Sequence, residues 1–526
     1  MPELLPRTGA PVDYDAHPMQ SPPDRPIHNE AFFVLLLLFA YGWLFVFFER
    51  INNPNELVRV YMARSIAFEH SYAIGERRVS DGRFFDSGPT YSSWGYVNDK
   101  ALVCGDPRAT APACAGKLYA AKAPGASFLA APIVLLLGHA ATKTVTVFAL
   151  RWLLCILPAI ALWVALRRFL LERGLPEEVA LAGALGSLSL TYGQLFAGHQ
   201  MGAVALGAAF LCAFGRKPRP LALGFGAALA VCLEYPCAPA AALLGLGWLS
   251  TRPGRRQVAL SLLGAVPPAL ALAHFQSSFG HVWSTPYGHL ENPEFVKDIA
   301  PGFMGISLPT AGRLYGSLIS PSLGLFYWAP WIAFAAWAAW IARRNRPALV
   351  ASVVVAYYLV FQVTHALWRS GWTVGPRYIT PIVPFAAIAI ACALKERPRA
   401  LPAFCAAAIA GIAATGLASS VSQGFPLEVQ NPLREVVWPL LSHGWIPRNP
   451  LQLAGVPGLP SALPYFAALA AACAFLACRA GRFLVLAAAL VALQWLAPAS
   501  EERGAAGYFT TVWEPPLPPG ARPLSE

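Results

Sequence analysis

The sequence from Ala31 to Ser65, AFFVLLLLFAYGWLFVFFERINNPNELVRVYMARS, changes abruptly from an apolar run to a polar, asparagine-rich one. The apolar part, Ala31–Phe48, approaches the roughly 20 residues that a helix needs to cross the hydrocarbon core of a bilayer. No small-residue cleavage site follows it, so we expect a retained first membrane span rather than a secretory signal. The polar part then opens a loop at the membrane surface.

The composition of the whole chain is typical of a membrane protein. Of its 526 residues, 56% are hydrophobic and only 13% are charged, whereas about a quarter are charged in a soluble domain. The net charge of +12 comes mostly from short basic loops between apolar runs, which is a pattern of membrane topology. We therefore expect membrane lipids, and not nucleic acid, as the surroundings of this positive charge.

The basic loops predict the topology, because short loops rich in Arg and Lys stay in the cytoplasm. The short segment Ala123–Ala141, which contains Pro132, is expected to lie at the interface, since spanning would move the next basic loop outside. The remaining apolar runs predict an all-α polytopic membrane protein with about thirteen transmembrane helices. The basic loops are Arg167–Gly174, Gly215–Pro220, Ser250–Arg256, Arg343–Pro347, Lys395–Arg399 and Cys478–Arg482.

This topology concentrates the polar residues of the chain on the outer side of the membrane. A transporter would instead keep ionisable residues and broken helices near the midplane. The predicted regions are a cytoplasmic tail (1–30), a first transmembrane helix (31–48), a large extracytoplasmic loop with interfacial, juxtamembrane helices (49–143), a transmembrane core (144–394), a C-terminal transmembrane region (395–497) and an extracytoplasmic tail (498–526).

The polar part of the opening stretch has the form of a helix start. Asn53 is the expected N-cap, and Pro54 suits the first helical position. Glu56 then falls at the third position, where a carboxylate closes a capping box, and Arg59 lies on the same face and within reach of it. Glu56 is thus either a capping and pairing residue or a general base at the membrane surface.

The end of the first loop carries basic and aromatic residues next to the interfacial helix. Lys122 precedes the start of that helix, with Tyr119 three residues earlier, and helix amides with a lysine suit an anion such as a lipid phosphate. The alternative is an ordinary interfacial lysine that snorkels to the headgroups. Cys104 and Cys114 share the same polar loop, so we expect a disulfide on an oxidising side and two free thiols otherwise.

Further polar residues lie at the outer ends of later helices. Trp372 and Arg377 belong to a Trp-, Gly- and Arg-rich stretch, where a guanidinium on a stiff turn would bind phosphate through two parallel hydrogen bonds. His199 and the Glu234-Tyr235 pair lie at other outer ends. Glu234 is costly there without a cationic partner, so a structural ion pair is the alternative to a substrate contact. The histidines of the loop 276–321 have no metal-ligand spacing, and we expect no metal and no cofactor.

These motifs resemble those of the bacterial polytopic glycosyltransferases of the GT-C superfamily, in particular the glycosyltransferase-39 or protein-mannosyltransferase-like group that includes aminoarabinose transferases. The resemblance covers the chain to about Leu394. It rests on NNPNELVRVYMARSIAFEHSYAI, YAAKAPGASFLAAP, GWTVGPRYITPIVPF, LFAGHQ and LEYP.

The resemblance implies transfer of a sugar from a polyprenyl-phosphate donor to a lipid, glycan or protein acceptor at the outer face of the bacterial plasma membrane. The family's acidic pair at the start of the first loop is Asn55-Glu56 here, so Glu56 becomes the predicted base. Other acids of the loop are Asp81, Asp86 and Asp99.

The expected reaction is a direct, inverting displacement in which Lys122, Arg377 and Arg59 stabilise the departing phosphate. The alternatives are a flippase or transporter of lipid-linked sugars, and an inactive membrane scaffold in which Asn55 replaces a lost acid.

Overall fold

The computed structural model describes residues 30–499, with gaps at 89–90, 92–93, 107, 110, 301 and 303–304, and then residues 507, 513 and 517–524. The predicted cytoplasmic tail, apart from Glu30, and most of the predicted outer tail lie outside the described residues. The described chain is mostly helical, and its first part combines two helices with a small sheet. The elements of this part are α1 (Glu30–Gly42), α2 (Pro54–Glu69), β1 (Ala73–Ser80), β2 (Arg83–Ser87), β3 (Lys100–Cys104), β4 (Gly116–Ala120) and α3 (Gly125–Leu137).

The membrane region follows α3 and consists of helices joined mostly by short turns. The first of these, α4, contains one π-helical turn at Trp152–Ile156. The helices are α4 (Lys143–Leu171), α5 (Glu178–Leu185), α6 (Leu188–Gly193), α7 (Gly198–Phe214), α8 (Pro220–Leu233), α9 (Cys237–Leu249), α10 (Arg255–Gly264), α11 (Pro267–Phe279), α12 (Pro293–Ile299), α13 (Ala311–Leu318), α14 (Leu325–Trp328), α15 (Phe334–Ile341), α16 (Arg346–Thr364), α17 (Ile382–Glu396), α18 (Leu401–Ser419), α19 (Trp438–Ser442), α20 (Pro450–Leu453), α21 (Leu463–Ala480) and α22 (Leu484–Leu496).

Five helical stretches of the described residues are long and apolar enough to cross a membrane, which confirms a multi-pass membrane protein. Shorter apolar helices, among them α3, α7, α8 and α9, accompany them. The number of about thirteen spans therefore stays a prediction. The five stretches are Lys143–Leu171, Arg255–Phe279, Arg346–Thr364, Pro398–Ser419 and Leu459–Leu496.

The first predicted span differs from the structure at its end. Helix α1 stops at Gly42, and the chain continues without helix to Phe48. The ring of Trp152 occupies the place where a Cβ at position 42 would lie, 2.5 Å away, so the glycine permits a close contact with α4. Beyond it, the Phe45 N–H donates to the Arg448 carbonyl at 2.9 Å. This tertiary contact replaces the helical hydrogen bonds that hydrophobicity alone predicted.

The first loop contains a sheet, so the prediction of an all-α chain is wrong there. Its four strands are antiparallel in the order β2-β1-β4-β3. Asp81 and Gly82 form the β1–β2 turn, and both have positive φ, as the two central residues of a type I′ hairpin turn require. An Asp-Gly pair between two runs with strand-forming residues is a strong hairpin signal. The sequence therefore carried the information that the all-α prediction overlooked.

The sheet packs against α2 and thereby holds the start of that helix in place. Leu57, Val58, Tyr61 and Met62 of α2 form a buried cluster with apolar residues of the strands, among them Leu118. The Cys104–Cys114 disulfide joins the end of β3 to the segment before β4, as the sequence predicted. Sheet and helix thus form one compact unit beside the membrane helices, and we call it the outer unit because the charge pattern predicts that it faces outward.

Candidate active site

A cavity of about 720 Å³ lies where several segments between the helices meet. Five segments that the charge pattern predicts to lie on the outer side contribute to its wall, namely the first loop, the Glu234 turn, the loop 276–321 and the segments 365–378 and 419–460. The wall combines charged groups with aromatic and aliphatic side chains. Its charged residues are Glu56, Asp99, Lys122, Arg151, Glu234 and Arg377. A pocket of mixed character that gathers ionisable groups is the usual form of a binding or active site.

The beginning of α2 confirms the predicted cap and changes the predicted pairing. Asn53 is the N-cap, its side chain accepts the Asn55 N–H at 3.2 Å, and Pro54 occupies the first helical position. Glu56, however, neither closes a capping box nor pairs with Arg59. Both expectations were wrong, because Glu56 and Arg59 each pair with a residue from the membrane region. The spacing of residues along one helix does not reveal such partners.

Glu56 lies in a fully buried ion pair with Arg151 of α4. The Arg151 Nε donates to Oε1 at 2.7 Å, and Nη2 donates to Oε2 at 2.8 Å. The Phe196 N–H also donates to Oε1, at 3.0 Å. The two side chains are 0% and 4% exposed, so the carboxylate is neutralised and held by three hydrogen bonds. Such a pair joins α2 to α4 and to the segment before α7.

Arg59 forms a second buried pair, with Glu234. Its Nη2 donates to Glu234 Oε1 at 2.6 Å, and its Nη1 donates to the carbonyl and side-chain oxygens of Asn55. His199 Nδ1 lies 3.5 Å from the same Glu234 oxygen. A Cβ at Gly198 would come within 2.2 Å of that oxygen, so only glycine admits the carboxylate here. This arrangement confirms the expectation that Glu234 has a cationic partner.

Asp99 and Lys122 form a pair that remains accessible from the cavity. The Lys122 Nζ lies 3.0 Å from Asp99 Oδ1, and each side chain is 14% exposed. Within the described residues, no hydrogen bond reaches Asp99 Oδ2. The Ala121 N–H donates to the Asp99 carbonyl at 3.0 Å, which fixes the segment before β3 against the end of β4. The cavity therefore presents one carboxylate oxygen and one ammonium side by side.

Arg377 reaches the cavity from the turn before α17. Its Nη1 donates to the Trp372 carbonyl at 3.4 Å, and no carboxylate of the described residues pairs with it. Gly375 supports the turn with a φ of +64°, and a Cβ there would lie 2.6 Å from a Leu188 methyl. The guanidinium is thus carried on a rigid turn, and its charge remains available to an anion.

Among the other predicted site residues, Tyr235 and Trp372 line the cavity, whereas Tyr119 does not. The Tyr235 hydroxyl is buried without a hydrogen-bond partner among the described residues, so it can bond to a ligand. Tyr119 packs instead against Phe279, with ring centroids 5.3 Å apart. Tyr119 belongs to β4, and its ring contacts Phe279 and not the cavity. The prediction of an all-α loop gave no indication of this orientation.

The structure adds Asp99, Arg151 and His365 to the wall of the cavity. Burial first, and the charge of Arg313 second, lower the pKa of His365 to about 4, so this side chain is neutral at neutral pH. Among the described residues, no group of three or more His, Cys, Asp or Glu converges as a metal site would require. The sequence identified Asp99 only as one of several acids in the first loop. Its pairing with Lys122 depends on the sheet, which brings the segment before β3 next to the end of β4.

No protein-family model matches the chain, and no curated protein matches it significantly. Among solved structures it is similar to ArnT from Cupriavidus metallidurans in the apo state, with 14% identity and a TM-score of 0.41 over 85% of this chain and 76% of that chain. ArnT bound to undecaprenyl phosphate gives 14% identity and a TM-score of 0.39, over 86% of this chain and 76% of that one.

The chain is also similar to the arabinosyltransferase EmbB from Mycobacterium smegmatis, with 13% identity and a TM-score of 0.40. This similarity covers 95% of the present chain but only 43% of EmbB, so the chain spans less than half the length of that protein. Neither similarity describes the reaction or the substrates of this chain.

Proposed function

We propose that the chain transfers a sugar from a polyprenyl-phosphate-linked donor to an acceptor, with inversion at the sugar carbon, at the outer face of the bacterial plasma membrane. The observation that carries the proposal is the composition of the cavity wall. Cations, an accessible carboxylate and an apolar surface meet in one space. A lipid-linked sugar donor needs all three, because its leaving phosphate develops negative charge, its acceptor must lose a proton and its tail is hydrocarbon.

Lys122 and Arg377 are the groups that would stabilise the leaving phosphate. Arg377 has no carboxylate partner among the described residues, and Lys122 shares its charge with only one carboxylate oxygen. Preorganised cations stabilise a developing phosphate charge without having to reorient during the reaction. Arg59 is less suited to this role, because Asn55 and Glu234 already accept from both of its terminal nitrogens.

Asp99 is the best-placed base in this geometry. A base must bring an oxygen within hydrogen-bond distance of the acceptor hydroxyl, and Asp99 has an oxygen that no described residue occupies. Glu56 is instead fixed by Arg151 and Phe196 on both oxygens. The catalytic role of Glu56 therefore stays a prediction from the sequence, and we assign this residue a positioning role.

The proposed step balances with these groups alone. The acceptor oxygen attacks the sugar carbon from the face opposite the phosphate, and the bond between that carbon and the phosphate oxygen breaks. Its electron pair leaves with the phosphate, beside Lys122 and Arg377. The proton of the acceptor hydroxyl passes to Asp99. No metal is required, because the two cations face the developing charge directly.

The apolar part of the wall provides a place for the start of the isoprenoid tail. Phe47, Phe48 and Ile51 come from the segment between α1 and α2, and Val360 and Phe361 come from α16. Burying such a chain contributes about 0.8 kcal/mol for each methylene removed from water. Binding energy from the tail would thus hold the phosphate near the cations.

Mass spectrometry of cell-envelope glycolipids and glycans, with and without the gene, tests the proposal. We expect a sugar that is missing in the deletion strain and restored by the wild-type gene. Asp99→Asn should fail to restore it at normal protein levels, and Asp81→Asn, in the exposed hairpin turn, is the matched control that should restore it. Restoration by Asp99→Asn would contradict the assignment of the base. Accumulation of the donor on the cytoplasmic leaflet, without loss of transfer in vitro, would instead indicate a flippase.

A further inference from the structure

A second cavity, of about 540 Å³, lies in the outer unit and is separate from the one described above. The hairpin β1–β2 forms one side of it, and Tyr91, Gly95 and Tyr96 form another. Glu291, from the loop between α11 and α12, completes the wall. The proposed transfer step uses none of these residues.

Arg77, Asp86 and Glu291 form the polar side of this second cavity, and the buried Lys100 behind them completes a network of four charged side chains. Arg77 donates to Asp86 at 2.6 and 2.9 Å and to Glu291 at 2.5 Å. Lys100 donates to Asp86 and lies 3.9 Å from Glu291. Burial alone would raise the pKa of Asp86, but hydrogen bonds from Arg77 and Lys100 outweigh it, and the pKa is lowered. Two cations and two carboxylates leave the network without net charge.

The other side is aromatic and open to solvent. Phe84 and Tyr96 are 46% and 60% exposed, and Phe84 shares the face of the β1–β2 hairpin that carries Arg77 and Asp86. The Lys100 Nζ lies 4.2 Å from the centre of the Tyr96 ring, which fixes that ring beside the charged network. Exposed aromatic residues gathered around a concave surface are unusual for a protein surface and mark a contact site.

We propose that the second cavity binds a neutral saccharide segment of the acceptor, an assignment that rests on the proposed sugar transfer. The charge balance disfavours a phosphate or a simple cation, because neither finds an excess of opposite charge. A saccharide offers hydroxyl groups that both donate and accept, together with apolar C–H faces. The carboxylates and guanidinium meet the hydroxyls with charge-assisted hydrogen bonds, and the aromatic rings cover the apolar faces.

The position of the second cavity relates it to the transfer site. Asp99 and Leu290 line the first cavity, and their chain neighbours Lys100 and Glu291 belong to the network of the second. The Glu291 N–H donates to the Lys100 carbonyl at 3.0 Å, which joins the two segments. The two cavities therefore share a wall. An acceptor held in the second cavity would be fixed next to the element that carries the proposed base.

The test measures saccharide binding directly, without turnover. Saturation-transfer NMR on the full-length protein in nanodiscs would use maltotetraose, cellotetraose and chitotetraose as probes. We expect at least one to bind the wild-type protein, and Phe84→Ala or Tyr96→Ala to weaken that binding by roughly tenfold. Trp283→Ala removes an aromatic ring that is 75% exposed and lies outside the cavity wall, so it is the matched control.

The outcomes separate this inference from the proposed transfer. Binding that depends on Phe84 and Tyr96 supports a saccharide site even if no sugar transfer is found. Absence of binding for all three probes, or binding that these two variants leave unchanged, overturns it even if transfer is confirmed. Where transfer is measurable, the two variants should raise the KM for the acceptor and leave kcat within about twofold, because they remove binding and not chemistry.

Discussion

The Glu56–Arg151 pair gives the sharpest test of how the site is built. Glu56→Gln removes the negative charge and keeps the shape of the side chain, whereas Arg151→Met removes the cation and keeps much of its length. Either change leaves the other member of the pair buried without its oppositely charged partner. If Glu56 holds the fold, each single change should destabilise the protein, and the double change should cost less than the two together.

The magnitude follows from burial and from the hydrogen bonds. Both side chains are almost fully buried, and two charge-assisted hydrogen bonds of 2.7 and 2.8 Å join them. Removing one member of a buried pair costs about 3–5 kcal/mol. The Arg151 Nη1 also donates to the Val46 carbonyl at 2.6 Å, which keeps part of its bonding in Glu56→Gln. We therefore expect about 3 kcal/mol for Glu56→Gln and a coupling energy of about 2 kcal/mol in the double-mutant cycle.

The assay is reversible unfolding in mixed micelles of dodecyl maltoside and SDS, followed by tryptophan fluorescence. Glu30 and Arg168 provide the control, because they form a similar two-pronged pair whose side chains are 39% and 60% exposed. Glu30→Gln should leave the free energy of unfolding close to the wild-type value, because solvent screens this exposed pair. A Glu56→Gln protein of wild-type stability that has lost transfer would refute the positioning role and support Glu56 as the base.

Three further predictions concern other parts of the structure. Replacing Cys104 and Cys114 by Ser should lower the free energy of unfolding by about 2–3 kcal/mol, the loop-closure value for a short loop, and reductant should have the same effect on the wild-type protein. Gly375→Ala should cost about 2 kcal/mol in the same unfolding assay, since its φ is +64° and Leu188 blocks a Cβ. The lowered pKa of His365, about 4, means that the unfolded chain binds a proton first as the pH falls. Stability should therefore decrease between about pH 6.5 and 4, and His365→Gln should reduce that decrease in unfolding curves measured across this range.

Local sequence signals predicted the features that depend on neighbouring residues. Hydrophobic length identified a multi-pass membrane protein, and the Asn53-Pro54 pair identified the start of α2. The charge pattern predicted that most of the segments that form the first cavity lie on the same side of the membrane. The Cys104–Cys114 disulfide followed from two cysteines in one polar loop. Each of these conclusions needed only a window of sequence and one physical rule.

The sequence could not predict which charges pair, because the partners are far apart along the chain. Glu56 and Arg59 are three residues apart on one helix, which predicted a mutual pair. They lie instead against Arg151 and Glu234, 95 and 175 residues away. The sheet was missed for a different reason, because the fold class was predicted from the long apolar runs, which do not describe the polar first loop that contains Asp81 and Gly82. Both reasons apply to Asp99, because its partner Lys122 is distant along the chain and the sheet brings the two residues together.

The charge balance of the first cavity explains why an asparagine at position 55 is compatible with the proposed reaction. Its wall and the groups paired to it contain three carboxylates and four cations, which leaves one positive charge for a phosphate. A carboxylate at position 55 would lie against Arg59, which Glu234 already neutralises. It would cancel the remaining charge and oppose the anionic donor. Asn55 still accepts from Arg59 through its side-chain oxygen, so it keeps the geometry of the helix start while the acceptor proton is left to Asp99.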